Sequence, residues 1–453
     1  MSHTMVRDLT KGNVTKQLLQ FALPLFFSNA LQAIYNIVDM MVVGQCIGGV
    51  GMSAVSIGGD ILHLLTFLAM GFASAGQVLI AQDVGANNLE GVKRTIGTMF
   101  SFLFLASIFM SAICFLIREP ILNWVNTPEE SYQYTMDYTV TCIVGLVFIY
   151  GYNVVSAILR GMGDSKRPFV FIVIAALLNI VLDILFVAYL GMEVFGAALA
   201  TVIGQGVSFV VSLMYLYHKR ESFCFDFKLK SFKMEKVALR RLVNLGVPMA
   251  IQSAAVCLSK TILMAWINLY GVVFSALAGV YNKVNVMSGI ISQSFTTAGS
   301  AMVGQNLGAK KDERVPKILM TVNTCSMIIT VVLTLVMLVF PDQVFGAFTS
   351  DKEVLAIAGI LVAPIILNFF GSATRSVSFS LINGSGNTKL NLAVAVIDGI
   401  ISRIGIAALL GFGLGMECLG FWYGDAIAGF VPIIIGLCFL ISGKWRTTPK
   451  KKA

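Results

Sequence analysis

Charge is what this sequence has least of. Asp, Glu, Lys and Arg make up 12% of its 453 residues, against about 25% in a typical soluble domain. Hydrophobic residues reach 57% and the mean hydropathy is +0.84, so the chain is expected to fold in lipid. Metal chemistry lacks ligands. The three histidines are scattered, and the eight cysteines (46, 114, 142, 224, 257, 325, 418 and 438) form no CxxC and no His/Cys cluster. They read as small apolar packing residues rather than zinc ligands or disulfides. There is no HExxH, no Ser/His/Asp set at sensible positions and no nucleotide loop. A membrane-embedded enzyme is therefore not indicated, no cofactor is expected, and energy for any transport must come from a gradient. The GxG pieces sit at segment ends and read as turns. Met1 to Lys16 is polar and the first apolar run is too long for a signal peptide, so no cleavable leader is expected.

What the sequence does have is long apolar runs. Twelve segments can span a bilayer, at about 16–43, 52–81, 94–117, 133–159, 168–190, 195–217, 241–269, 275–304, 317–340, 354–382, 389–412 and 418–443. The net charge of +9 could suggest nucleic acid, but its placement argues otherwise. Alternate connections hold Arg7, Lys11 and Lys16; Lys93 and Arg94; Arg160, Lys166 and Arg167; eight basic residues from Lys219 to Arg241; Lys310, Lys311, Arg314 and Lys317; Lys389; and Lys444, Arg446 and Lys450 to Lys452. The opposite connections hold only Arg118 and Lys352. The positive-inside rule then places both termini in the cytoplasm of a plasma-membrane protein. The basic surplus marks topology, with some attraction to anionic headgroups. Nothing suggests an oligomer, so a monomer is expected.

The chain also repeats itself. Pro24 matches Pro248, and QDVGA at Gln82 matches QNLGA at Gln305. RGMGDSK at Arg160 matches NGSGNTK at Asn383, and LGMEVFG at Leu190 matches LGMECLG at Leu414. Every offset is 223 or 224 residues. Six spans per half is an even number, so both halves enter from the same side. The expected fold is an all-α membrane protein of twelve transmembrane helices in two six-helix lobes, related by a pseudo-two-fold along the membrane normal. The expected divisions are an N-terminal segment 1–15, an N-lobe 16–217, a basic linker 218–240, a C-lobe 241–443 and a basic tail 444–453. A cavity is expected between the lobes, with alternating access around it. Pro24 lies mid-span and is a candidate hinge, or simply a static bend.

Asp39 breaks an otherwise apolar run, and an acid there costs about 2.5–3.5 kcal/mol on an insertion scale. Tyr35 lies one turn before it on the same helix face. Asn179 and Asp183 share a face in the same way, and Thr201 follows one span later. Two carboxylates with Asn, Thr and Tyr oxygens are hard ligands suited to a proton or to sodium, with Asp39, Asp183 and Asn179 as the metal ligands in the sodium case. Two close acids in a partly dry cavity repel, so a proton or cation is needed between them. If the same pair also takes a cationic drug, competition couples the two fluxes. An acid kept only to fix packing is the plainer alternative.

The second half carries different charges. Leu263 stands where Asp39 would repeat, and Ile406 or Ala407 where Asp183 would. Lys260, Lys283, Arg375, Asp398, Arg403 and Asp425 appear instead. Lys260, Asp398 and Arg403 are candidates for a C-lobe cavity. Asp398 and Arg403 could equally be a structural pair, although five residues is a loose spacing on an α-helix. Asp60 and Lys283 occupy equivalent repeat positions and form a candidate inter-lobe gate, unless each is satisfied within its own lobe. His63 reads as a neighbour of Asp60 rather than a proton relay.

At these residues the chain resembles the multidrug and toxic compound extrusion (MATE) transporters, over roughly 15–443. The resemblance rests on Pro24, YNIVD and VGQ in the first span, on QDVGANN and its repeat QNLGAKK, and on ILRGMGDSKRP before the fifth span. Tyr35, Asp39, Asn179, Asp183 and Thr201 match the N-lobe cation site of the branch with two N-lobe aspartates. Pro24 falls where the first helix of that branch bends on protonation. The resemblance implies a V-shaped cavity and export of small organic cations against H⁺ or Na⁺. Another branch has a glutamate eight residues after the seventh-span proline. Here that position is Val256, and Lys260 follows one turn on. An alternative is therefore a flippase or exporter of a lipid-linked or anionic substrate, with Lys260, Lys283, Arg375 and Arg403 as the basic groups.

Overall fold

The computed structural model describes residues 7–447 except Cys224 and Ser350, and these residues form helices and turns. Most of the segment 1–15, and Lys444 to Thr447 of the basic tail, are described. The rest of the tail, with Lys450 to Lys452, lies outside the described residues. The long helices are α1 (Val14–Ile47), α2 (Gly49–Gly85), α3 (Leu89–Leu116), α4 (Glu129–Gly161), α5 (Lys166–Tyr189), α6 (Glu193–His218), α7 (Lys236–Asn268), α8 (Val272–Gly308), α9 (Asp312–Val339), α10 (Lys352–Ser385), α11 (Thr388–Gly413) and α12 (Glu417–Ser442). Their outer faces carry large apolar side chains such as Phe109, Leu116, Leu177 and Ile434, each more than half exposed. So much open apolar surface suits a lipid solvent and not water.

Eleven helices among the described residues are long and apolar enough to cross a membrane, where twelve are expected from the sequence. The difference is α8. It runs unbroken for 37 residues, but Asn282, Lys283, Asn285, Ser288, Ser292, Gln293 and Ser294 dilute its apolar content. Part of that polarity is spent on α10. The Ser292 hydroxyl donates to the Ser372 carbonyl at 2.8 Å, and Ser288 meets Ser372 at 3.4 Å.

The repeat is visible in local structure. Short helices Arg118–Trp124 and Pro341–Gly346 occupy equivalent places. So do π-helical turns at Ile184–Tyr189 in α5 and Leu409–Gly413 in α11. A further π turn, Ile397–Ser402, exists only in α11. Such turns add a residue to the helical ladder and rotate the side chains beyond them.

The chain divides into two compact units, one of residues 1–8 and 23–246 and the other of 9–22 and 247–453. The divisions fall just before Pro24 and Pro248, at repeat-equivalent points. The opening turns of α1 therefore belong with the second unit. There the Leu9 N–H donates to Gln305 Oε1 at 3.0 Å, and Lys311 donates to the Thr10 carbonyl at 2.9 Å. The opening turns of α7 belong with the first unit, where Arg241 meets Asp83 at 3.2 Å.

The basic stretch before α7 is not a slack linker. Phe225, Phe227 and Phe232 gather around Phe100 of α3, with ring centroids 5.7–6.4 Å from it. Arg94 pairs with Glu235 at 2.8 Å, Lys93 with Asp226 at 3.6 Å, and the Ser101 hydroxyl donates to the Phe232 carbonyl. Exposed ion pairs contribute about 0–1 kcal/mol each, so the packed rings, Phe225 the most deeply buried, carry more of the docking. Gly97 makes the approach fit, because a Cβ there would stand 1.9 Å from the Ser231 carbonyl oxygen. Gly97→Val is expected to lift this segment and speed tryptic cleavage at Lys228, Lys230 and Lys233 by about tenfold. Unchanged cleavage would show that the segment is held elsewhere.

Candidate functional site

The first unit brings the sequence-predicted acids together. Asp183 is fully buried, Asn179 is 3% exposed and Asp39 is 4% exposed. The charge of Asp39 reaches Asp183 directly. Among the described residues neither carboxylate has an ion-pair partner. Both Asp183 oxygens, Asp39 Oδ1 and Asn179 Oδ1 also lack a hydrogen-bond partner within the chain. Asn179 instead donates to the Thr201 hydroxyl at 3.3 Å. Asp183 is the last α-helical residue before the π turn of α5.

The surroundings are dry. Val43, Ala54, Val55, Val187, Val194, Ala197 and Ala198 pack with Tyr138 and Cys142 into one apolar cluster. Tyr138 and Cys142 of α4 feel the charge of Asp39 and were not singled out from the sequence. Among the neighbouring Thr135, Asp137, Thr139 and Thr141 of α4, they gave no distinct sequence signal. Beside the acids, Tyr35, Asn179, Thr201 and Gln205 line a cavity with room for about one water molecule or a small ion. Burying two anions without a partner is costly by several kcal/mol each. The orphaned oxygens therefore fit a proton or a hard monovalent cation. They are too few for a resident multivalent metal, and no group of three His, Cys, Asp or Glu side chains occurs among the described residues.

The second unit treats its charges in the opposite way. Arg375 Nη2 lies 2.5 Å from Asp398 Oδ2, and Arg403 Nη2 lies 3.5 Å from Asp398 Oδ1. Arg403 also pairs with Asp425, to which Tyr281 donates at 3.3 Å and Asn368 at 3.4 Å. The loose five-residue spacing of Asp398 and Arg403 closes because Ile397–Ser402 is a π turn, whose hydrogen bonds run i to i+5. Glycines set the depth. A Cβ on Gly424 would stand 2.3 Å from the Ala407 Cα, so α12 can lie on α11 and present Asp425 to Arg403. The Ser259 hydroxyl donates to the Gly399 carbonyl and fixes α7 beside the same turn. Lys260, one residue on, lines a cleft with Tyr281, Asn282, Trp422 and Asp425.

The remaining expected residues stand apart from these clusters. Pro24 lies within an unbroken α1, two residues past the unit division, and the Ser28 hydroxyl donates to its carbonyl at 2.8 Å. Asp60 and Lys283 are exposed positions of α2 and α8, in different units. His63 neighbours Asp60, and its ring lies 4.7 Å from Phe67. Tyr281 and Asn368 were missed, because their partner Asp425 lies 144 and 57 residues away in the chain.

Comparison with known proteins adds four findings. The MatE family model matches residues 24–185 and 248–409, once in each half. The chain is similar to the probable multidrug resistance protein YoeA of Bacillus subtilis (strain 168), at 29% identity over 98% of this chain and 96% of that protein. It is similar to the probable multidrug resistance protein YpnP of the same organism, at 30% identity over 68% of each. Among solved structures, a multidrug resistance MATE family transporter of the MOP superfamily in an outward-facing conformation aligns with a TM-score of 0.91. It is 20% identical and covers 99% of this chain and 100% of that one, which speaks to fold.

Arg403 holds two acids, so Arg403→Ala is expected to cost about 3–5 kcal/mol of stability. Thermal unfolding in detergent would read this as a clear fall in Tm. Replacing Arg403 by Met together with Asp425 by Leu should recover much of the loss. An unchanged Tm in Arg403→Ala would contradict a buried network.

Proposed function

Because the chain belongs to the MatE family of secondary transporters, and is not an enzyme, we propose that it exports organic, drug-like molecules in exchange for H⁺ or Na⁺, with Asp39 and Asp183 as the coupling site. One observation carries this reading. Two buried carboxylates lie within reach of each other's charge, and three of their four oxygens are buried without a hydrogen-bond partner among the described residues. Such a pair demands a positive charge, and a proton, a sodium ion and an organic ammonium can each supply it. Occupation by one weakens occupation by another, and that exclusion is what an exchanger needs. Asn179, Thr201 and Tyr35 supply neutral oxygens beside the acids, and Asp39, Asp183 and Asn179 would hold the sodium ion.

The finer architecture belongs to the same proposal. Twelve spans form two six-helix lobes about an axis along the membrane normal, working by alternating access with both termini in the cytoplasm. The 223–224-residue repeat and the one-sided placement of Lys and Arg support it. In this scheme Pro24 is a hinge, since a proline has no N–H for the helical ladder. Asp60 and Lys283 form an outer gate. The relatives' names, probable multidrug resistance proteins, favour small-molecule drugs as cargo, and the acid pair favours cationic ones. A second reading, an anionic or lipid-linked substrate, is favoured by Lys260 at the cleft of the second unit.

Export of a fluorescent organic cation from proteoliposomes under an imposed proton or sodium gradient tests the coupling site. Wild type should drain the dye while Asp39→Asn loses nearly all gradient-driven export. Equal export by both proteins would make Asp39 structural.

A further inference from the structure

The stretch that leads from α6 into α7 divides its charges by face. Two of its acids turn inward to α3, Asp226 to Lys93 at 3.6 Å and Glu235 to Arg94 at 2.8 Å. The Ser231 hydroxyl also donates to Asp226. Lys228, Lys230, Lys233 and Lys236 are exposed, and among the described residues none of them has an ion pair within 4.0 Å. Apolar side chains stand between these lysines. Leu229 is 93% exposed at the start of the short turn Leu229–Phe232, Val237 is 66% exposed on the first turn of α7, and Met234 lies between them in the chain. A run of lysines alone would mark topology and nothing more, but the open leucine asks for an apolar neighbour. Its backbone is pinned from behind, with Phe232 packed on Phe100 and Ser231 close over Gly97. The exposed face is therefore a fixed surface rather than a loose tail.

The depth of this stretch says what lies opposite. Both of its ends run into spans, at His218 and Lys236. Glu235 meets α3 at Arg94, while the Phe232 carbonyl meets it at Ser101. That is roughly two turns, or about 10 Å, further along α3. The turn thus lies past the basic end of that helix and just short of Phe104 and Leu105, which are more than half exposed on its apolar part. An amphipathic segment at this level sits at the headgroup boundary, where apolar side chains enter the acyl region by about 5–10 Å and lysines reach back to the phosphates. We propose that residues 228–237 form a binding site for anionic phospholipid. Headgroup phosphates lie on Lys228, Lys230 and Lys233, and Leu229 and Val237 stand among the first acyl carbons. A zwitterionic lipid would take the leucine and leave the lysines uncompensated, so the face selects headgroups of net negative charge. A soluble acidic partner would take the lysines and leave the leucine in water. The site shares no residue with the acid pair and holds whatever ion that pair takes.

The test uses the full-length protein in liposomes of dioleoylphosphatidylcholine with a minority of dioleoylphosphatidylglycerol. Bromine on the acyl chains of one lipid or the other quenches tryptophan at contact. The added fluorescence of Leu229→Trp, taken against wild type, reports the lipid at that position. Brominated phosphatidylglycerol should quench it about twofold or more beyond its share of the bilayer. High salt should shrink that preference. Adding Lys228→Gln, Lys230→Gln and Lys233→Gln should return both lipids to their bulk shares, while Lys228→Arg, Lys230→Arg and Lys233→Arg should keep the preference. Quenching by both lipids in proportion to their shares with the lysines intact would overturn the proposal, as would a preference that survives the three Lys→Gln changes. No quenching by either lipid would put Leu229 in water and leave the face to a soluble acidic partner, which also overturns it.

Discussion

An unpartnered pair of carboxylates inside a low-dielectric unit is the constraint that shapes this molecule. Asp39 and Asp183 are buried among valines, alanines and a tyrosine, and three of their four oxygens find no donor among the described residues. Desolvating an ion costs several kcal/mol unless something compensates. Among the described residues no ion-pair partner stands beside the two acids, and in the proposed scheme an entering proton or cation meets the cost. A site that is stable only when occupied by a mobile positive charge is a natural coupling site. The rest of the first unit keeps that demand sharp. Arg160 is turned to Gln77, Arg167 to Asp164 and Arg241 to Asp83, so the unit's buried or half-buried bases are engaged elsewhere.

The second unit shows what the same scaffold does when its charges are neutralised internally. Asp398 and Asp425 lie as deep as the first unit's acids, yet each is bound by arginine. A duplicated fold has thus kept its helices and changed its electrostatics. The shared π turn of α5 and α11 is retained, and the added π turn of α11 brings Asp398 and Arg403 into register. The prolines and unit divisions remain equivalent in the two halves, at 22/23 and 246/247.

Much of this could be read in the sequence. Apolar runs announce spans, because length and hydropathy are what a bilayer selects. The acids stand out because a charge in such a run is rare. The helix α8 marks the limit of that rule, since its serines and asparagines are spent on α10 and α8 is more polar than a lone span should be. Other features left no linear trace. A π turn differs from an α turn by one residue in the hydrogen-bond ladder, so the Asp398–Arg403 spacing looked too long until the turn was seen. The ties of Tyr281 and Asn368 to Asp425 join distant parts of the chain. The docking of the stretch before α7 on α3 depends on Gly97 having no Cβ and on three phenylalanines packed around Phe100, in a segment that composition alone reads as a basic linker.

The most direct test of the acid pair is ion movement itself. Proteoliposomes would be loaded with substrate, with a pH dye inside in one series and radioactive sodium outside in another. Substrate efflux should draw H⁺ or Na⁺ inward in wild type, and that countermovement should vanish in Asp183→Asn. Ion movement of equal size in Asp183→Asn, or substrate efflux with no ion moving in either series, would contradict the claim that these carboxylates couple the two fluxes.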